Sequence, residues 1–136
     1  VAKGGNLLLN IAPSGDGEWD KGAYKLLEQI GDWMHINDEA IYETHSMAPY
    51  KFDNVCVTAK NDGSVYLIYL VKEGQTELPD TLILPEYTPK SGANVEILGL
   101  GKNLKWSKQG GSMKIILPRE LKGKLLKTIA FTIKII

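Results

Sequence analysis

Residues Leu7, Leu8, Leu9 and Ile11 form an apolar run with no polar alternation, the pattern of a strand covered on both faces, as in barrels and doubly wound sheets. Such a strand needs parallel neighbours, and each neighbour needs its own crossover connection. Only five residues precede Asn6, and no further alternation of strand and helix follows residue 44. The expectation is therefore that residues 1–136 are the C-terminal piece of a larger protein. The strand at Asn6–Ile11 then belongs to a sheet whose other members lie elsewhere, and its exposed edge is a route to self-association.

After this strand comes a loop rich in Gly and Asp, Ala12–Trp19, and then a helical pattern over about 21–36. Asp20 is placed as the N-cap. Ala23, Leu26, Leu27, Ile30, Trp33 and Met34 recur at spacings of three and four, which gives one apolar stripe. Gly31 interrupts that pattern at a cost of about 1 kcal/mol relative to Ala, which predicts close backbone packing there. Asn37 is read as a left-handed stop.

From Asp53 the period shifts from 3.6 to 2 and the segments shorten to strand length. Asn54–Lys60 and Ser64–Lys72 flank Asn61, Asp62 and Gly63, a hairpin signal in which Gly63 supplies the positive φ. Further strands are predicted at Thr81–Leu84, Asn94–Leu98, Leu104–Ser107, Ser112–Leu117 and Thr128–Ile135, with no helix between them. The pattern implies a mainly β chain: an antiparallel β-sandwich over residues 46–136, preceded by one strand and one amphipathic helix within residues 1–45. The inward-facing set is Val55, Val57, Val65, Leu67, Val95, Ile97, Ile115, Leu117, Phe131 and Ile133. Cys56, the one cysteine, is read as a core thiol.

The chain carries 16 basic and 16 acidic residues, so its overall field predicts neither nucleic acid nor an anionic membrane as partner. The balance is uneven along the sequence. Residues 1–100 hold 7 basic and 15 acidic side chains, and residues 101–136 hold 9 and 1. In a single body, the basic C-terminal strands are expected to lie near the acidic helix and loops, or to face solvent.

Motifs for chemistry are weak. Asp16, Glu18 and Asp20 resemble the opening of a calcium loop, but Lys21 and Leu27 stand where Gly and a bidentate acid are required. His35 and His45, with one cysteine, make no zinc set, so neither a metal nor another cofactor is expected. His35 suits the C-terminal end of the helix dipole. Gly99, Gly101 and Lys102 read as a turn, since a phosphate loop needs Gly at Glu96. No nucleophile elbow or triad is visible. Two-carboxylate glycoside hydrolysis needs a cleft to hold the pair, which a small sandwich does not supply. Exposed aromatics can stack on sugars, with Trp106 and Tyr66 as candidates. Tyr66 and Tyr69 have opposite parity in one strand, so only one of them can face the core.

Several blocks resemble the end of the catalytic barrel in α-L-fucosidases of glycoside hydrolase family 29: Lys3–Pro13, Asp16-Gly17, Ile30–Met34 and Asn37–Thr44. That family usually reads Asn-Gly-Glu-Ala-Ile-Tyr-Gly-Thr in the last block and Ile-Gly-Pro in the first, so Asp38, Glu43 and Ala12 are departures. Val95–Gly99, Leu104–Trp106 and Ile115–Pro118 resemble its sandwich pattern V-x-I-L-G, L-x-W and I-x-L-P. The resemblance implies a parent that is a retaining exo-α-L-fucosidase acting on fucosylated glycans, with a (β/α)8-like barrel and a C-terminal sandwich. Residues 1–45 are then the remnant of that barrel. The family's Asp nucleophile and Glu acid/base have no match here, which implies an inactive fragment that supports the barrel; a carbohydrate-binding sandwich is the alternative. Barrel sites lie at the C-terminal ends of strands, which puts Asn10, Pro13 and Trp19 nearest the sugar. The parent is expected to be secreted, periplasmic or lysosomal.

Overall fold

The two-residue alternation beyond residue 44 folds into nine strands, in a computed structural model that describes residues 1–136. They are β1 (His45–Phe52), β2 (Val55–Ala59), β3 (Val65–Leu70), β4 (Thr81–Leu84), β5 (Val95–Ile97), β6 (Lys102–Asn103), β7 (Trp106–Gln109), β8 (Ser112–Ile116) and β9 (Ala130–Ile135). One sheet has six strands in the order β1-β2-β3-β9-β5-β6, and the other has three in the order β4-β8-β7. Every pairing is antiparallel.

All ten residues expected to face inward are buried, and they form one core with Leu84 and Met113 of the smaller sheet and with Leu121 from the segment before β9. Strand parity also holds. Tyr69 faces this core and stacks on Phe131, with ring centroids 5.0 Å apart, while Tyr66 points to the opposite face of the larger sheet. The hairpin between β2 and β3 turns at Gly63, φ +94°, and Asp62 Oδ1 accepts the Ser64 N–H at 2.8 Å.

The helix α1 spans Lys21–Asn37, and Asp20 Oδ1 caps it by accepting the Gly22 N–H at 2.7 Å. A single 3-10 turn, Asp38–Ala40, follows directly. The end of α1 and this turn lie across the outer face of the six-stranded sheet. There Ala40, Tyr66, Ile68 and Ala130 form a second small core with Trp33, Ile41, Cys56 and Leu98 against it. This cover explains why β3, Val-Tyr-Leu-Ile-Tyr-Leu, is apolar on both faces: each face meets its own hydrophobic layer.

Several expectations are corrected. Asn6–Ile11 forms no strand, and Leu7 and Leu8 stand 86% and 85% exposed; an unalternated apolar run makes a strand only when neighbours supply ladder partners, and none pairs with it here. Cys56 is half-buried under α1, outside the sandwich core. Gly31 meets no close neighbour. The close approach occurs at Gly99 (φ +75°), where a Cβ would stand 2.6 Å from Ile36 Cγ2. Asn37 is not left-handed, with φ −119°; its buried side chain donates to Trp33 O at 2.9 Å and the chain runs on into the 3-10 turn.

Two strands, β1 and the two-residue β6, and one helix also escaped the periodicity. β1 contains Pro49 and a register shift between Ser46 and Lys51, tolerable because it is an edge strand. A second helix, α2 (Arg119–Leu125), interrupts the strands and buries Leu121 and Leu125 at i, i+4. Gly123 within it lowers helix propensity and conceals the pattern. β7 begins at Trp106 rather than Leu104, whose N–H donates to Val95 O at 2.7 Å before the chain turns.

Candidate functional site

The residues expected nearest a sugar lie in or beside the loop that precedes α1. Asn10 and Pro13 are exposed. Ser14 organises the loop: its hydroxyl donates to Glu18 O at 2.6 Å and to the Asp16 carboxylate. That hydroxyl, followed by backbone N–H groups, holds the Asp16 carboxyl below its ordinary range. Trp19 packs its ring against Tyr24 at 5.5 Å between centroids, and the Tyr24 hydroxyl donates to Glu18 at 3.3 Å. These contacts shape the turn into the helix.

The two aromatics considered for sugar stacking sit elsewhere. Tyr66 is 1% exposed, so its ring offers no face to a ligand. Trp106 is half-buried against the main core and its indole N–H donates to Ala93 O at 2.8 Å.

The densest polar constellation joins the 3-10 turn to the sheet. Glu39 Oε2 accepts from the Tyr66 hydroxyl at 3.0 Å and from Lys134 Nζ at 2.7 Å. Partial burial pushes the Glu39 carboxyl up, but the Lys134 ammonium and the Tyr66 hydroxyl outweigh it and hold the group below its usual range. Burial, then the adjacent Glu39, pushes the Tyr66 phenol far above its ordinary value. Beside this cluster, the Thr58 hydroxyl donates to Ala40 O at 2.8 Å and the Trp33 indole N–H to Ala130 O at 2.9 Å. The arrangement clamps the end of α1 to the sheet. Opposite parity of Tyr66 and Tyr69 signals a second buried face in the sequence, but nothing there pairs Glu39 with Lys134.

The two ion pairs, Lys134 with Glu39 and Lys122 with Asp80, each join a basic residue from beyond position 100 to an acidic one before it. The uneven charge of the sequence is thus partly neutralised by contact between its halves.

Chemically, a hydrolytic acid needs a carboxyl held protonated near neutrality. The carboxyl shifts seen at Asp16, Glu39, Asp62 and Asp80 all run downward. Four of the nine surface concavities are lined by one carboxylate at most, Asp32 in one and Asp53 in two. No three His, Cys, Asp or Glu side chains converge on a common point.

Taken together, these features define a β-sandwich with a helix clamped to its outer face. Residues 1–39 match the α-L-fucosidase family model. The chain is 32% identical over 139 aligned positions to the tissue α-L-fucosidase of Bos taurus, covering 99% of this chain and 28% of that protein. It is 35% identical over 125 positions to the plasma α-L-fucosidase of Rattus norvegicus, covering 88% and 26%. The α-fucosidase of Thermotoga maritima superposes with a TM-score of 0.78 at 24% identity, over 99% of this chain and 31% of that one, a likeness of fold. By sequence the chain is a relative of the α-L-fucosidases of glycoside hydrolase family 29. It spans about a quarter of the length of the curated relatives it matches.

Proposed function

We propose that residues 1–136 serve as the non-catalytic C-terminal portion of a retaining exo-α-L-fucosidase that removes α-L-fucose from glycoconjugates. The observation that carries this reading is coverage: relatives named α-L-fucosidases align with nearly the whole of this chain, yet the chain takes in only 28% of the bovine enzyme. The nucleophile and the acid/base then come from a barrel domain of the same polypeptide, and the sandwich supports that barrel. Residues 1–45 are the part that belongs to the barrel, and residues 46–136 are the sandwich proper.

Exposed Leu7, Leu8 and Leu9 agree with this, since a barrel strand buries both faces only among its neighbours. In that setting Asn10, Pro13 and Trp19 lie at or beyond the strand's C-terminal end, on the side where barrel sites form. Relatives named for plasma and tissue support a secreted or lysosomal parent. The test is a retaining hydrolysis assay on the longest polypeptide that contains this segment. Turnover of 4-nitrophenyl α-L-fucoside, with retention followed by NMR, is expected. A folded full polypeptide inert toward α-L-fucosides overturns the reading.

A further inference from the structure

An open concavity of about 570 Å3 lies beside the irregular part of β1 and is lined by Lys3, Pro49, Tyr50, Lys51 and Asp53. Its volume falls in the range of small-molecule sites. Unlike the buried Tyr66 ring, Tyr50 is 50% exposed, so its ring is open to a ligand.

The backbone at this tyrosine is unusual. Tyr50 has φ +63°, inside the stretch where the register between β1 and β2 shifts. Asp53 is also left-handed, φ +44°, but it stands in the two-residue hairpin turn between Phe52 and Val55, where a positive φ is ordinary. No such turn accounts for Tyr50. A bulky side chain rarely adopts that conformation, glycine does so without strain, and bulges re-aim side chains beside sites. The charges add a second observation. Lys3, Lys51 and Asp53 are all exposed at one concavity, yet the two ion pairs of the molecule lie elsewhere. Two ammoniums and one carboxylate are thus left unbridged around an aromatic ring, with positive charge in excess.

We infer that this concavity binds a pyranose carrying one anionic group, a carboxylate or a sulfate. The C–H face of the ring stacks on Tyr50, the Lys3 and Lys51 ammoniums donate to the anion, and Asp53 accepts from the sugar hydroxyls. Charge-assisted hydrogen bonds are the strong ones, and a tyrosine supplies contact area at low conformational-entropy cost. A wholly apolar ligand is a poor fit, because three of the five lining residues are charged. The inference does not rest on fucoside turnover.

Methyl β-D-glucuronide and methyl β-D-glucoside test this directly, since they share a ring and only the first is charged; a sulfated galactose tests the other anion. Each is titrated into the 136-residue chain while its backbone amides are followed by NMR. Saturable shifts centred on Tyr50, Lys51 and Asp53 are expected. At least one anionic sugar should bind roughly threefold more tightly than the glucoside, the scale of an exposed charge pair, and the tighter of the two identifies the anion. Lys51→Gln should reduce that preference. Tyr50→Gly removes the ring and suits the left-handed backbone, so the melting temperature should hold or rise while the tighter sugar weakens roughly fivefold. Tyr50→Phe keeps the ring and should keep the affinity. Equal affinity for charged and neutral sugars, tighter binding of adenosine monophosphate than of either anionic sugar, a lower melting temperature or unchanged affinity in Tyr50→Gly, or no saturable shift at the concavity overturns the proposal.

Discussion

At Glu39, a single carboxylate receives a phenol from β3 and an ammonium from β9, tying the turn after α1 to two neighbouring strands. Removing the phenol donor with Tyr66→Phe leaves the ion pair in place. The expected loss is about 1 kcal/mol, the low end for a hydrogen bond to a partly solvated charged group, read as a lower midpoint in urea at unchanged slope. Thr58→Val removes a fully buried donor and leaves Ala40 O with only the long 3.5 Å contact from the Thr44 hydroxyl, which costs roughly 1–3 kcal/mol. The acid limb follows from the sign of the Glu39 shift. Its folded pKa is depressed, so its contribution is complete above the ordinary carboxylate range and is lost as pH falls through the folded value. Glu39→Gln should therefore shrink the drop in melting temperature between pH 7 and acid pH. Asp80, held low by Lys122, keeps part of that drop in the variant; an unchanged drop would remove Glu39 from the account.

At the scale of elements, α1 is seated by the Trp33 indole N–H on Ala130 O and by the approach of Ile36 to Gly99. Gly99→Ala meets both a left-handed backbone and Ile36 Cγ2, so a destabilisation above about 1 kcal/mol is expected. Amide exchange should quicken first in α1 rather than in β3 or β9, because the helix end yields before the sheet does. Uniform quickening would mean that the helix and sheet open as one unit. Legibility in the sequence follows the same division. Period-two alternation disclosed the sandwich core because burial there is one-sided and strictly alternating. β1, α2 and the Glu39 clamp stayed hidden: Pro49 and a bulge blur the first, Gly123 the second, and the third depends on a contact 95 residues apart. Asn37 reads as a helix stop by residue type alone, yet the sheet beneath it turns that position into a buried polar one.

For the whole molecule, the same apolar run that dominates the sequence is the part the structure leaves without a ladder. Leu7, Leu8 and Leu9 exposed together present a hydrophobic edge, and such edges associate. Replacing all three by Ser should reduce concentration-dependent association in sedimentation while leaving the melting temperature within about 1 °C, since exposed side chains contribute little to stability; a large fall in melting temperature would show that the run packs on the sandwich. The blocks resembling a fucosidase barrel were legible because they are local in sequence, whereas a two-carboxylate site would be assembled across a fold of which this chain spans about a quarter. The proposed function has this segment carrying the family's likeness without its chemistry. The most direct measurement is turnover of 4-nitrophenyl α-L-fucoside by the purified 136-residue chain, shown to be folded by circular dichroism. A rate indistinguishable from buffer is expected. Retaining hydrolysis above buffer, abolished by Asp16→Asn or Asp32→Asn, would contradict it.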